Sequence, residues 1–279
     1  MKKRRFFRLL LTYSLLAFMT AVIIYPLLWT VGASFNPGNS LVSTSIIPAN
    51  PTLDHYKELF AGKESLQYGQ WYINSLKISI FTMIGSVISV SFTAYAFSRF
   101  RFKGRKNALV LFLLLQMIPQ FSALVALFVL AQMLGMMNSH WLLILLYIGG
   151  LIPINTYLMK GYMDSIPIDL DESAKIDGAS NTRIFLQIIM PLSKPMIAVV
   201  AMNGFTGPLG DFVLSSTILR TPESYTLPIG LYNLVNEVMG ASYTTFAAGA
   251  ILISIPVAVI FIMLQKNFVS GLTAGGTKG

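Results

Sequence analysis

The sequence predicts an all-α integral membrane protein with six transmembrane helices and both termini on the cytoplasmic side. Three observations predict it. Of the 279 residues 54% are hydrophobic and only 11% charged, against about 25% charged in soluble domains. Six apolar stretches, about residues 9–30, 73–97, 109–134, 141–159, 196–219 and 246–265, approach or exceed the roughly 20 residues that cross a bilayer. The basic residues are also unevenly placed. All of the 20 Lys and Arg except Lys57, Lys63, Lys77 and Arg220 fall on one side of the predicted spans, which makes that side cytoplasmic.

The first stretch follows Lys2, Lys3, Arg4, Arg5 and Arg8. A basic start before an apolar run also fits a signal peptide, but the length of the run and the five stretches after it predict an uncleaved helix. In the second stretch Ser75, Ser79, Thr82, Ser86, Ser89 and Thr93 recur at steps of four and three, forming one helical stripe. Such a stripe either packs closely against another helix or lines a polar passage. Gln116 and Gln120 bracket Pro119 in the third stretch, where they either face one cavity or satisfy a kinked backbone. The other apolar stretches also contain prolines, at Pro26, Pro153, Pro208 and Pro256. Lipid tolerates these breaks where neighbouring helices or a lined cavity satisfy the freed backbone groups.

Two connections on the outer side are long. Residues 36–70 contain a predicted short helix at Asp54–Phe60, and residues 220–245 carry Tyr225, Tyr232, Asn233, Asn236 and Glu237. Gly135–His140 is only a turn. The net charge of +9 follows from topology, so no nucleic-acid partner is expected. With no cysteine, and with His55 and His140 both in outer segments, neither a catalytic constellation nor a metal site is expected. No phosphate-binding G-x-x-x-x-G-K-[ST] loop is present, so any ATP-Mg must be bound by a partner. An ion-coupled transporter would need intramembrane acids, and only Asp211 lies well inside a stretch.

The inner segment of about 161–194 is the most specific feature. Ser165 is placed to cap a helix, Pro167 fits its first turn, and Asp169, Asp171 and Glu172 set negative charge at its positive end. Gly178 supplies a left-handed residue, Ser180 caps a second helix, and Ile184, Phe185, Ile188 and Ile189 share an apolar face before Pro191. Two short helices joined at a glycine elbow make either a knob for a protein groove or a hairpin lying on lipid.

This run resembles the EAA signature of ABC-importer permeases. Glu172, Ser173 and Ala174 occupy its E-A-A positions, Asp177, Gly178 and Ala179 its D-G-A, and Ile188 and Pro191 its end. Ser173 replaces the first alanine with another small residue. The resemblance implies the type I ABC-importer permease fold. It also implies that these residues, with Phe185, form a coupling helix that docks on the ATPase dimer of the complex. The stretches at Ala94–Arg99, Gln116–Pro119, Lys160–Tyr162 and Ser224–Leu227, and the end of the tail (266–279) at Gly271–Gly279, resemble sugar permeases of the maltose/maltodextrin type, in particular the second permease.

That likeness implies a bacterial cytoplasmic membrane, a companion permease and an extracellular sugar-binding protein. It also implies a tail (Gly275, Gly276, Lys278) that contacts the ATPase, and a loop (Leu231, Tyr232, Asn233, Asn236, Glu237) that contacts the binding protein. Many such permeases carry Trp-Asn-Asp/Glu-Phe where this chain reads Leu209-Gly210-Asp211-Phe212. The acid is kept and the aromatic platform lost, so Asp211 is expected to gate or pair at an interface rather than hold sugar. The expected cargo is maltose or maltodextrin, with galacto-oligosaccharides as the alternative.

Overall fold

The computed structural model describes residues 2–39, 46–61, 66–236 and 242–276, without the side chains of 2–5, 120–121 and 268–276. The described residues form helices α1 (Lys2–Ser34), α2 (Asp54–Phe60), α3 (Tyr68–Arg99), α4 (Arg105–Leu115), α5 (Gln120–Met133), α6 (His140–Asp164) and α7 (Asp169–Ile176). There follow α8 (Asn181–Ile184), a π turn (Phe185–Ile189), α9 (Met190–Leu192), α10 (Lys194–Gly210), α11 (Val213–Ile218), α12 (Leu227–Asn236) and α13 (Tyr243–Gly276). They divide into two compact units, residues 1–69 with 230–255 and residues 70–229 with 256–279.

Among the described residues four helices are continuous, apolar and long enough to cross a membrane: Phe6–Ser34, Tyr68–Arg99, His140–Asp164 and Tyr243–Asn267. The third and fifth apolar stretches are interrupted. Between α4 and α5 the chain breaks at residues 116–119, where Pro119 takes an extended ψ of 124° and has no N–H to continue a helix. Between α10 and α11 Asp211 turns extended. Residues 181–192 and α10 form a further pair, bent by 81°. α13 runs on as helix through Gly275 and Gly276 of the expected tail; Lys278 lies outside the described residues.

In the first unit, α1 leaves its large apolar side chains exposed along most of its length, as suits a helix facing lipid or another protein chain. The predicted short helix is present as α2. Its buried His55 lies 2.8 Å by Nε2 from the Asn36 carbonyl and 3.2 Å by Nδ1 from Thr245 Oγ1. Where α3 begins, Tyr68 is fully buried and donates to the Gly249 carbonyl at 3.0 Å. A Cβ on Gly249 would come within 2.6 Å of Leu231, so the absence of a side chain lets α12 and α13 approach.

The second unit is organised on α3. One apolar cluster gathers Val90, Ala94, Tyr95, Met159, Met163, Ile184, Phe185, Ile189 and Val200; another gathers Ile78, Leu143, Ile144, Ile218, Leu219 and Ile229. Between them the hydroxyl stripe turns inward, with Ser75, Ser79, Thr82 and Ser86 buried. The stripe is therefore a packing face here rather than the wall of an open passage. In lipid, helices gain little from hiding apolar surface from one another, so close contact between small residues carries the association. Gly204 of α10 makes a close backbone contact of this kind, where an added Cβ would lie 2.8 Å from Met83 Cα.

That geometry separates two neighbouring substitutions. Gly204→Ala drives a methyl into backbone and is expected to cost about 1–3 kcal/mol. Gly207→Ala meets nothing within 4 Å and should be neutral or gain up to about 1 kcal/mol of helix propensity. Melting temperatures of the two purified variants check this; equal values would remove the α3–α10 contact as a stability determinant.

Candidate functional site

The glycine elbow is built much as the residue pattern predicts. α7 carries Asp169, Asp171 and Glu172 in its first turn, next to the positive end of its peptide dipoles. Gly178 takes φ +81°, a conformation that strains other L-residues. Ser180 Oγ then accepts the Arg183 N–H at 3.3 Å and caps α8. Ser165 does not cap α7. It ends α6 in a helical conformation and donates to the Tyr162 carbonyl at 2.7 Å, while α7 begins three turn residues later without a side-chain cap.

The two helices of the elbow face differently from the expectation. Ile184, Phe185 and Ile189 are buried in the chain's own core, and Ile188 is half-buried against them. Phe185 stacks between Phe92 and Tyr95, with ring centroids 4.9 and 4.8 Å away. This apolar face anchors the elbow and is not displayed to a partner. The displayed residues are Glu172, Ser173, Lys175, Ile176, Asp177 and Gly178, with Ala174 and Ala179 half-buried and Pro191 exposed. Ile176, which the sequence did not single out, is 87% exposed at the tip.

What ties the elbow down is the end of α3. Arg99 Nε donates to Asp171 Oδ2 at 2.8 Å, with the two side chains only 8% and 5% exposed. The same guanidinium donates to the carbonyls of Met163 at 3.0 Å and Ile166 at 3.1 Å, closing the end of α6. One turn earlier Tyr95 donates to the Asn181 carbonyl at 3.3 Å, at the start of α8. Residues four apart share a helix face, so Tyr95 and Arg99 hold both arms of the elbow from one face of α3. Arg99 figured in the sequence only as a positive charge and part of a family-like stretch; nothing in its spacing identifies its partner.

Asp211 sits at the break between α10 and α11. Its carboxylate accepts the Ser215 N–H at 2.9 Å and the Leu214 N–H at 3.4 Å, capping α11, and the Tyr147 hydroxyl at 2.7 Å. These partners are within the chain. Tyr147 and Asp211 lie on the wall of a cavity of about 540 Å³ whose other lining is mostly apolar, from α5, α6, α10 and α11. Gln116 donates to the Gly150 carbonyl at 3.5 Å, so it serves the backbone of α6.

On the opposite side, the short turn before α6 does more than reverse the chain. Asn138, at φ +60°, accepts with Oδ1 from the N–H groups of Arg220 and Thr221 and from Ser224 Oγ. Trp71 Nε1 donates to Pro222 O at 2.9 Å, and Asn74 Nδ2 donates to the carbonyls of Glu223 and Tyr225. Residues 220–226 are thus pinned before α12 begins. Of the residues expected to meet a binding protein, Tyr232, Asn233 and Asn236 are exposed on α12, whereas Leu231 is buried against Gly249. Glu237 lies outside the described residues.

Apolar helices long enough to cross a membrane, with a polar elbow anchored at the end of one of them, suit a membrane transport permease. The chain belongs to the family described as binding-protein-dependent transport system inner membrane components, which matches residues 85–273, and within it to the carbohydrate ABC-importer permeases of the maltose second-permease type. It is accordingly a multi-pass inner-membrane protein of an ABC transporter complex that works with a substrate-binding protein, and it is not the ATPase.

The chain is 86% identical over 279 residues to the galactooligosaccharides transport system permease protein GanQ of Bacillus subtilis (strain 168), covering 100% of this chain and 99% of that one. It is 47% identical to the maltodextrin transport system permease protein MdxG of the same strain, covering 96% and 95%. Its fold matches that of a bacterial ABC transporter involved in the import of the acidic polysaccharide alginate, with a TM-score of 0.78 over 93% of this chain and 95% of that one at 20% identity.

Proposed function

We propose that this chain is the coupling permease of an ATP-driven importer of galacto-oligosaccharides. Six spans place both termini and the elbow in the cytoplasm, with α4–α5 and α10–α11 as the two broken spans. The elbow docks on one subunit of an ATPase dimer. A companion permease completes the pathway, and the exposed face of α12 meets the loaded binding protein. The observation that carries the coupling role is the grip of Tyr95 and Arg99 on both arms of the elbow. A knob held this way cannot swing alone, so a push on it moves α3 and the end of α6.

For the cargo, 86% identity to a galacto-oligosaccharide permease against 47% to a maltodextrin permease favours the alternative that the sequence left open over maltodextrin. The test is uptake by the whole importer in proteoliposomes containing ATP, with its own binding protein outside. Labelled galactotriose is expected to accumulate and maltotriose not. Accumulation of maltotriose alone would overturn the cargo. Uptake that persists without ATP would overturn the coupling mechanism.

A further inference from the structure

We propose that the loop between α3 and α4 and the outer face of α4 form a binding site for one anionic phospholipid. Two adjoining grooves carry the inference. The first, about 560 Å³, is lined by Arg101, Phe102, Arg105, Lys106, Asn107 and Lys160. The second, about 520 Å³, runs from the same Asn107 along Val110, Leu111 and Leu114. A basic recess that continues into an apolar channel has the two-part chemistry of a phosphodiester headgroup with an acyl chain. A free phosphate would use only the first part.

Two of the four charges in the recess have neither an ion pair nor a side-chain hydrogen bond among the described residues. Lys160 pairs with Asp164, and Arg105 reaches the Ser98 carbonyl at 3.5 Å and no acid among the described residues. Arg101 and Lys106 have no acidic partner among the described residues. Nothing on α4 is buried, and Val110, Leu111 and Leu114 are each more than half exposed. The position also suits a headgroup. α3 ends at Arg99, so the recess lies where an apolar helix long enough to cross a membrane ends, on the side that the proposed topology makes cytoplasmic, and the apolar groove runs from there along the next apolar stretch. Each basic side chain near a membrane surface attracts anionic lipid by about five-fold, and a recess between helices adds geometric selection. The site would place a lipid within a few residues of the Arg99 joint.

The experiment uses the assembled importer in nanodiscs of phosphatidylcholine with a minor fraction of phosphatidylglycerol. Lipid retained after detergent release is counted by native mass spectrometry. Wild-type complex is expected to retain phosphatidylglycerol above its share of the disc. Arg101→Gln/Arg105→Gln/Lys106→Gln should lower that retention by roughly 100-fold, while Lys57→Gln, a charge control in the other unit, leaves it unchanged.

Leu111→Trp/Leu114→Trp keeps the charges and fills the apolar groove, so it should also lower retention. Equal retention by wild type and the charge triple would overturn the proposal, and would be the result if the companion permease covers this face. Full displacement of the lipid by millimolar inorganic phosphate, or no effect of the tryptophans, would reduce the site to a simple anion recess and overturn it as a lipid site.

Discussion

Arg99→Ala is expected to abolish most sugar uptake while leaving the protein in the membrane. The substitution strands Asp171, whose side chain is 5% exposed and whose second oxygen, Oδ1, has no hydrogen-bond partner among the described residues. Removing one member of a buried ion pair costs about 3–5 kcal/mol, because the remaining charge is left desolvated. Here the cost falls on the joint itself, since Arg99 also closes the end of α6 through two carbonyls. The elbow should therefore lose its fixed orientation relative to α3, and uptake by the assembled importer should fall by about tenfold or more. ATP hydrolysis should no longer rise when loaded binding protein is added.

A second variant separates stability from coupling. Arg99→Met with Asp171→Leu removes both charges and replaces them with apolar volume, which restores or exceeds the stability of many buried pairs. Melting temperature should recover in this double variant. Uptake should recover only in part, since the bonds to Met163 and Ile166 are still missing. Wild-type uptake in Arg99→Ala would show that the joint transmits nothing.

The sequence made the elbow legible because its signals are local. Gly178, Ser180 and the acidic first turn act within a few residues of themselves, and each takes the conformation its chemistry favours. The apolar face at Ile184–Ile189 was equally visible, but periodicity reports only that a face will be buried. Whether the chain or a partner buries it depends on where Phe92 and Tyr95 stand, some ninety residues earlier. Arg99 and Asp171 failed to announce themselves for the same reason. Each has a sufficient local explanation, one as a flanking positive charge and the other as a helix-dipole acid, and their meeting is purely tertiary.

The interrupted stretches divide similarly. Pro119 marked a break that the structure contains, whereas the extended turn at Asp211 follows from the cap it gives α11 and its bond to Tyr147. Hydropathy alone could not separate one long helix from two short ones.

With the aromatic face buried, Ile176 is the most exposed large apolar side chain among the described residues of the elbow. It projects with 87% exposure beside Glu172, Lys175 and Asp177. Seating an isoleucine in a pocket contributes about 1.5–3 kcal/mol, and forcing an unpaired carboxylate into the same pocket costs several more. Ile176→Glu is therefore expected to weaken binding of the ATPase subunits by 100-fold or more, at roughly 1.4 kcal/mol for each tenfold.

Folding should be unaffected, because Ile176 supports nothing inside the chain. Gly178→Pro reaches the same end by another route. Its ring holds φ near −65° where the elbow needs +81°, so α7 and α8 cannot keep their angle. Gly178→Ala sits between them: its Cβ meets nothing within 4 Å, and left-handed strain alone costs about 1–2 kcal/mol. Titration of the purified ATPase against the three permease variants should rank affinity as alanine above glutamate and proline. Unchanged affinity in Ile176→Glu, with Gly178→Pro impaired, would move the docking contact off the tip and onto the elbow's charged flank.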